Sequence, residues 1–406
     1  MDDKKRLFSV FLIVFIDLLG FSIILPLLPF YAETFGASPT VVGLLVAIYA
    51  AAQMVGSPIL GRLSDKFGRR PILLVSIFGS ALGFIFLGIA NSLLVLFFAR
   101  FFDGITGGNI SVAQAYITDV TDEKNRSRGL GLIGAAFGLG FIIGPALGGV
   151  LSQWGYAVPA FAAAGVAFVN LGMVWFWLPE SLTEERKQEI REQKRPAISI
   201  KSLSQALSRP VVGRLLHTRL FYGFAFSLFQ SIFALYGQYR FNLNPQNTGY
   251  ILAYVGLLSV LTQGVVVGRL TDRLPDRVLI LSATALMALS LLGWAFAPSI
   301  MVLLIILAPI ALAGGVLNTV INSALTKAVP RSEFGGILGL SVSLESATRV
   351  VAPTIGGILL GQLGTSAPGV FAGVVLIWLS TYVFRYIYRT PKSEKISNNP
   401  IVPKSV

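Results

Sequence analysis

The sequence predicts an all-α membrane protein, with twelve transmembrane helices in two pseudo-symmetric bundles of six. Three observations carry this. The 406 residues are 54% hydrophobic and 13% charged, with a mean hydropathy of +0.74, too apolar for a water-soluble domain of that length. Apolar runs of about 20 residues, enough to cross roughly 30 Å of hydrocarbon, recur along the whole chain. Two distinct stretches return after a nearly constant interval. In lipid the backbone must satisfy its own hydrogen bonds, so the runs are helices rather than strands.

Taken in order, the first span, 7–30, follows Lys4, Lys5 and Arg6, is too long for a cleavable signal and leads straight into a second, 40–62. Arg62, Lys66, Arg69 and Arg70 separate it from the third, 71–90. The fourth is 93–117; Lys124, Arg126 and Arg128 then precede the fifth, 128–152, and the sixth is 157–178. At 179–210 the pattern breaks. The stretch PESLTEERKQEIREQKRPAISIKS is polar, charged and bounded by prolines, as a cytoplasmic linker would be. Six further spans follow at 212–237, 247–270, 278–296, 299–324, 335–362 and 368–388. Arg269, Arg273 and Arg277 come after the eighth, Lys327 and Arg331 after the tenth. The expected organisation is a first bundle over 1–178, the linker, a second bundle over 211–390 and a disordered cytoplasmic tail over 391–406.

The basic residues thus collect in alternate loops, and the opposite loops hold little beyond Arg240. Positive loops stay inside, which places both termini in the cytoplasm. The net charge of +13 is then a matter of topology, not a nucleic-acid footprint. The chain has no cysteine, hence no disulfide or thiolate site, and its single His217 lacks a histidine partner for a metal. His217 is expected to be structural or interfacial.

Internal repetition gives the mechanism. GRLSDKFGRRPILL at 61–74 returns as GRLTDRLPDRVLIL at 268–281, and GPALGG at 144–149 as APTIGG at 352–357. The offsets are 207 for Gly61 to Gly268 and 208 for Pro145 to Pro353, which indicates duplication. Two equivalent bundles can rock about a site at their interface and expose it to each side in turn. Nothing resembles a channel filter.

Five charges lie well inside helices: Asp17, Arg100, Asp103, Glu345 and Arg349. Charges in hydrocarbon are costly, rarely face lipid and mark function by default. Arg100 and Asp103 are three residues apart, Glu345 and Arg349 four, so each pair shares a helix face. Each reads either as a structural ion pair or as part of proton coupling. Asp17 has no charged neighbour on its helix and sits near mid-bilayer, the setting for a carboxyl that takes up and releases a proton. Polar and aromatic candidates for the cavity wall are Phe21, Tyr31, Tyr49, Gln53, Asn109, Gln114, Tyr222, Gln230, Tyr236, Gln263, Asn318 and Asn322.

The fifth span is unusual. GLGLIGAAFGLGFIIGPALGG at 129–149 would make a poor helix in water, yet small residues let helices approach closely in lipid. Gly140, Gly144 and Gly148 recur every fourth residue on one face, and Pro145 bends the helix. Gly256, Gly264 and Gly268 in the eighth span are the expected opposing surface.

These motifs together resemble the major facilitator superfamily, and within it the twelve-helix drug:proton antiporters that include the tetracycline efflux proteins. LGFSIILPLLP (19–29) is similar to the end of their first helix, GRLSDKFGRRP (61–71) to the superfamily's loop signature and ARFFDGITGG (99–108) to the arginine pattern of helix 4. Gly131, Gly140, Gly144, Pro145, Gly148 and Gly149 match the spacing of the helix 5 antiporter motif, and LPESL (178–182) is a common helix 6 ending in this group. The resemblance implies the major facilitator fold, helix 5 at the moving interface and Arg100 in proton coupling. It further implies a cytoplasmic gate in which Asp65 lies opposite the start of helix 11, with Gly61, Gly68, Arg69 and Arg70 beside it. Asp119, Arg126 and Arg128 would join that cluster, and Asp272 would echo it. The chain departs from the tetracycline exporters around Gly83, where their helix 3 acidic residue would stand, and in the absence of a carboxylate from helix 9. Tetracycline itself is therefore not the expected cargo.

The reading is a proton-coupled exporter of small amphipathic organic molecules, a non-enzymatic monomer in a bacterial plasma membrane. Its partners would be substrate, protons and lipid, with no cofactor, metal or nucleic acid. The alternatives are a proton-linked symporter or facilitator of a metabolite, and a transport-dead membrane receptor.

Overall fold

A computed structural model describes residues 3–121, 126–185, 188, 200–330 and 333–389. Among the described residues there are helices and turns and no strand. Twelve long helical rods follow one another among the described residues. The first six are α1 (Asp3–Ile24, resumed after a turn as Leu28–Glu33), α2 (Pro39–Phe67), α3 (Arg69–Gly88), α4 (Leu93–Thr106, resumed as Asn109–Val120), α5 (Arg126–Leu151) and α6 (Ala157–Trp177). A short helix, Ile200–Ser208, lies in the connecting segment. The last six are α7 (Pro210–Phe241), α8 (Pro245–Leu261, continued through a π-helical stretch Thr262–Val266 to Val267–Arg273), α9 (Asp276–Ala295), α10 (Ile300–Lys327), α11 (Phe334–Leu363) and α12 (Ala367–Val383, with π-helical Phe384–Tyr388). Residues 186–187 and 189–199 of the linker, and the tail expected over 391–406, lie outside the described residues.

Local chemistry sets many of the ends. Ser38 caps α2 by accepting from the Val41 amide, with Pro39 in the first turn, where the missing N–H costs nothing. Asn244 caps α8 in the same way at 2.8 Å from the Asn247 amide, again before a proline. Asn242 ends α7 in the left-handed region, at φ 53°. Several rods outrun the predicted spans, α1, α2 and α7 by six or seven residues each, because their ends project past the apolar stretch. Eleven are long and apolar enough to cross a membrane. The remaining rod, α11, is 30 residues long but carries Ser341, Ser343, Glu345, Ser346, Thr348 and Arg349 in its middle. Of these, Ser341 and Thr348 are buried, Ser343, Glu345 and Ser346 half-buried, and Arg349 exposed.

Packing repeats with the sequence. In the first half α1 lies against α5 and α6, α2 against α4, and α3 against α4 and α6. In the second half α7 lies against α11 and α12, α8 against α10, and α9 against α10 and α12. Each pairing recurs six helices later. The halves meet through α2 with α11 and α5 with α8.

They meet at one end. Near the start of α2 and the end of α11, Gly43 faces the Pro353 carbonyl and Gly357 the Pro39 carbonyl so closely that no β-carbon would fit. On the other side Gly249 of α8 abuts the Pro145 carbonyl, Gly149 of α5 abuts Pro245, and Gly256 abuts the Phe141 carbonyl. At the end that holds the basic loops, a β-carbon at Gly61, Gly131, Gly134, Gly264, Gly268, Gly335 or Gly336 would meet no described residue within 4 Å. The halves are joined at the end opposite the basic loops and parted at the basic end.

This corrects one expectation. The stripe Gly140, Gly144 and Gly148 packs on Leu18, Ser22 and Ile23 of α1, inside its own half, and Ser22 donates to the Gly140 carbonyl at 2.8 Å. The surface toward α8 is made by Gly138, Phe141, Pro145 and Gly149, and it meets Gly249, Gly256 and Val260. Gly264 and Gly268 oppose no described residue. Spacing defined a face correctly but not its neighbour. Gly249→Leu should therefore destabilise the fold by about 1–3 kcal/mol through overpacking. The check is a lower thermal unfolding midpoint, with Gly172→Leu, which has open space around it, unchanged.

Candidate functional site

Three clusters of charge are set into this frame, two at mid-height and one at the basic end. In the first half, Arg100 and Asp103 of α4 are almost fully buried and paired at 2.8 Å. The Arg100 guanidinium also lies over the Tyr49 ring of α2, 4.0 Å from its centre. Asp103 sits where Gly83 of α3 has no side chain: a β-carbon there would stand 2.7 Å from the aspartate's own. The space left by a glycine on α3 thus admits a carboxylate from α4.

Asp17 of α1 is half-buried and accepts from Asn109 Nδ2 at 2.6 Å. Ile13, Leu73, Ile77 and Ala113 complete a cavity the size of one water beside this pair. Tyr49 lies within electrostatic reach of Asp17, Asp103 and Arg100 and, from the other half, of Arg349. Its ring is 5.4 Å from that of Phe21, which is 6.4 Å from Phe141, so α1, α2 and α5 supply an aromatic wall.

In the second half, Glu345 of α11 stands between two guanidinium groups. Arg349 reaches Oε1 at 2.6 Å, and Arg219 of α7 makes a close ion pair with Oε2. Arg219 is buried and also donates to Asn318 of α10 at 2.8 Å. Arg349 is more than half exposed. Arg219 was not among the sequence candidates. It shares the start of α7 with Arg214 and His217, and a basic helix end resembles an interfacial cluster. Its tenth place in a 32-residue helix is the signal that it lies inside. His217 packs as expected of a structural residue, its Nδ1 2.7 Å from the Gly213 carbonyl.

At the basic end Arg69, 3% exposed, is the hub. It contacts Asp65 at 2.7 Å, Asp119 at 2.8 Å and Ser64 at 2.7 Å. Glu180, beyond the end of α6, accepts from the Arg69 and Arg70 amides at 2.9 and 3.1 Å and so caps α3. Gly68 makes room for it, since φ is 109° and a β-carbon would collide with the Glu180 carboxylate. Arg70 donates to the Trp175 carbonyl at 2.5 Å. The carboxylate at a helix start is thus Glu180 on α3, whereas Asp65 faces Arg69 within its own half. Only a closed basic end would bring Asp65 to α11. Glu180 was hidden by its place in LPESL, a motif read as a helix ending. The side chains of Arg126 and Arg128 lie outside the described residues, and Asp272 is exposed. Second-half ion pairs at that end, among the described residues, include Lys327 with Asp276, at 2.8 Å, and Arg209 with Glu333.

The remaining wall candidates divide. Gln53 donates to the Tyr49 hydroxyl at 3.1 Å and belongs to the centre. Gln114, Gln230 and Gln263 are exposed, Gln263 within the π-helical stretch, and Asn322 is half-buried. Tyr222, Tyr236 and Tyr31 are spent inside the bundles: their hydroxyls donate to the carbonyls of Gly314 at 3.0 Å, Trp294 at 2.5 Å and Ala90 at 2.9 Å. Burial against a carbonyl is a structural tie, so these three do not line a cavity.

The sequence matches the family described as Major Facilitator Superfamily over residues 10–340 and again over 261–403. It is similar to the tetracycline resistance protein, class H, of Pasteurella multocida, at 31% identity over 87% of this chain and 88% of that one. It is also similar to solute carrier family 22 member 18 of Rattus norvegicus, at 29% identity over 91% and 90%. Among solved structures, a bacterial homolog of the human lysosomal transporter Spinster, inward-facing and occupied, shares the fold. Its TM-score is 0.80, over 97% of this chain and 98% of that one, at 15% identity.

Glu180→Ala removes a cap and should cost about 0.5–2 kcal/mol. Hydrogen exchange at the Arg69 and Arg70 amides should quicken, while the far end of α3 keeps its protection.

Proposed function

The chain belongs to the major facilitator superfamily, and on that premise we propose that this multi-pass membrane transporter exports small amphipathic organic molecules in exchange for protons. One observation carries the reading. Two equivalent halves are joined at one end and parted at the other, around a centre where one carboxyl, Asp17, has an amide rather than a guanidinium for its partner. Arg100 is held by Asp103, and Arg219 and Arg349 share Glu345. A carboxylate without a cationic partner in a poorly solvated site is suited to gaining and losing a proton.

With the basic loops in the cytoplasm of a bacterial plasma membrane, the parted end faces inward. Substrate would enter there and meet the aromatic wall of Phe21, Tyr49 and Phe141. Closure of the basic end, with the Asp65–Arg69–Asp119–Glu180 cluster approaching α11, would release it on the other side. A proton returning across 100 mV supplies about 2.3 kcal/mol to drive the cycle. Relatives named for tetracycline and multidrug resistance support export of drug-like compounds. The glycine at position 83 still argues against tetracycline itself. A second reading, proton-linked import of a metabolite, gains support from the exposed Arg349, which would attract an anion into the centre.

Proteoliposomes with an imposed pH gradient, screened with cationic dyes and antibiotics, separate the two. Export predicts substrate-driven proton movement opposite to the substrate; import predicts movement in the same direction. Asp17→Asn should reduce that proton movement to background while substrate binding persists, and Asp17→Glu should retain part of it. Full coupling in Asp17→Asn would remove Asp17 from the mechanism.

A further inference from the structure

The helix that carries Arg100 and Asp103 is not continuous. Its first segment stops at Thr106 and its second begins at Asn109, with Gly107 and Gly108 between. The regular hydrogen-bond ladder lapses there, and three neighbours fill the gap. Ser76 of α3 spans the break, accepting from the Gly108 amide at 3.1 Å and donating to the Thr106 carbonyl in a close bond. Gln53 of α2 donates to the Gly107 carbonyl at 3.2 Å. From α1, Asp17 holds the first residue past the break, Asn109. Of the three clamps, Asp17 is the one that can change its charge.

Asn109 is 8% exposed, and its second polar atom has no use in the present state: Oδ1 is buried and accepts from no described residue. An ionised Asp17 can only accept, which fits its bond from Asn109 Nδ2. A protonated Asp17 carries an O–H and can donate, and the idle acceptor beside it is Asn109 Oδ1. Rotating the amide exchanges the two arrangements. The repeat supplies a contrast. Asn318, 209 residues after Asn109, is held by Arg219, which stays charged, on a helix that runs unbroken through that position. The same asparagine is fixed in one half and switchable in the other.

We propose that Asn109 is a positioning residue that transmits the protonation state of Asp17 to the break at Gly107–Gly108, so that proton binding re-aims the second segment of α4. This rests on the reading of Asp17 as the proton carrier. The proton arrives from water onto an Asp17 carboxylate oxygen, and Asn109 itself gains and loses none. The titratable groups within reach of Asp17 are Asp103 on α4 and Tyr49 on α2. The flanking helices bring apolar neighbours: Leu73 and Ile77 from α3, and the glycine stripe of α5 and Ala163 of α6 around the adjoining turns of α1.

The chain has no cysteine, so spin labels at Thr118→Cys on the second segment and Val169→Cys on α6 need no background removal. Both sites lie in the first half, where rocking of the halves leaves their separation unchanged. The distance is read between pH 5.5 and 8.5, and Asp17 protonation is followed by the carboxyl infrared band that Asp17→Asn removes. The expected result is a pH-dependent distance shift in the parent that is lost in Asp17→Asn and in Asn109→Ala, with the band still titrating in Asn109→Ala. If Asn109→Ala does not fold, Asn109→Ser is read in the same way. A shift of parental size in the Asn109 variant overturns the relay and leaves Asp17 as the proton carrier. So does a parent whose band titrates without any shift. Absence of a titrating Asp17 band overturns the carrier reading, and the relay with it.

Discussion

An ionised group buried in an apolar interior must be matched where it stands, and this constraint orders the whole molecule. Arg69 has two carboxylates, Arg100 has Asp103 and a ring face, and Glu345 has two guanidinium groups. Each network closes within its own half. These three networks therefore do not depend on the other half, and the two halves can part at the basic end without unmatching them. What joins the halves is backbone against backbone at glycines, together with Glu33 at the end of α1, which accepts from Gln238 at 2.6 Å and Tyr239 at 2.5 Å of α7.

Duplication has kept the positions and changed the polarity. Arg69 with Asp119 in the first half corresponds, 207 and 208 residues on, to Asp276 with Lys327 in the second. The same ion pair is present with its signs exchanged. Around the central asparagines, the first half offers a carboxylate to Asn109 and the second a guanidinium to Asn318. Equivalent folds with opposite local charge give a centre with an acidic wall and a basic wall. On the proposed function, such a centre would hold an amphipathic guest between two unlike surfaces and confine the titrating group to one of them.

The rods, the duplication and the buried charges were legible in the sequence, because each depends on composition or period along a single helix. Relations between helices were not. The glycine stripe of α5 defined a face, but Ser22 and Leu18 of its own half occupy it. Arg219 was masked by the basic run that opens α7, and Glu180 by a proline-flanked loop whose fold onto α3 no periodicity encodes. The break in α4 is written as Gly107–Gly108, yet in an apolar run such a pair also serves close packing. Its clamps from α2 and α3 lie far away in sequence.

The central claim is that the two halves pivot as units about a shared centre. Its most direct measurement uses two label pairs across the interface of the cysteine-free chain in lipid: Phe67 with Leu274 at the basic end, and Trp154 with Tyr250 at the joined end, all four exposed. On addition of a transported substrate under a pH gradient, the first distance should shorten as the second lengthens, in the same molecules and to the same extent of population. Distances that change in the same direction, or that stay fixed while transport proceeds, would contradict the account.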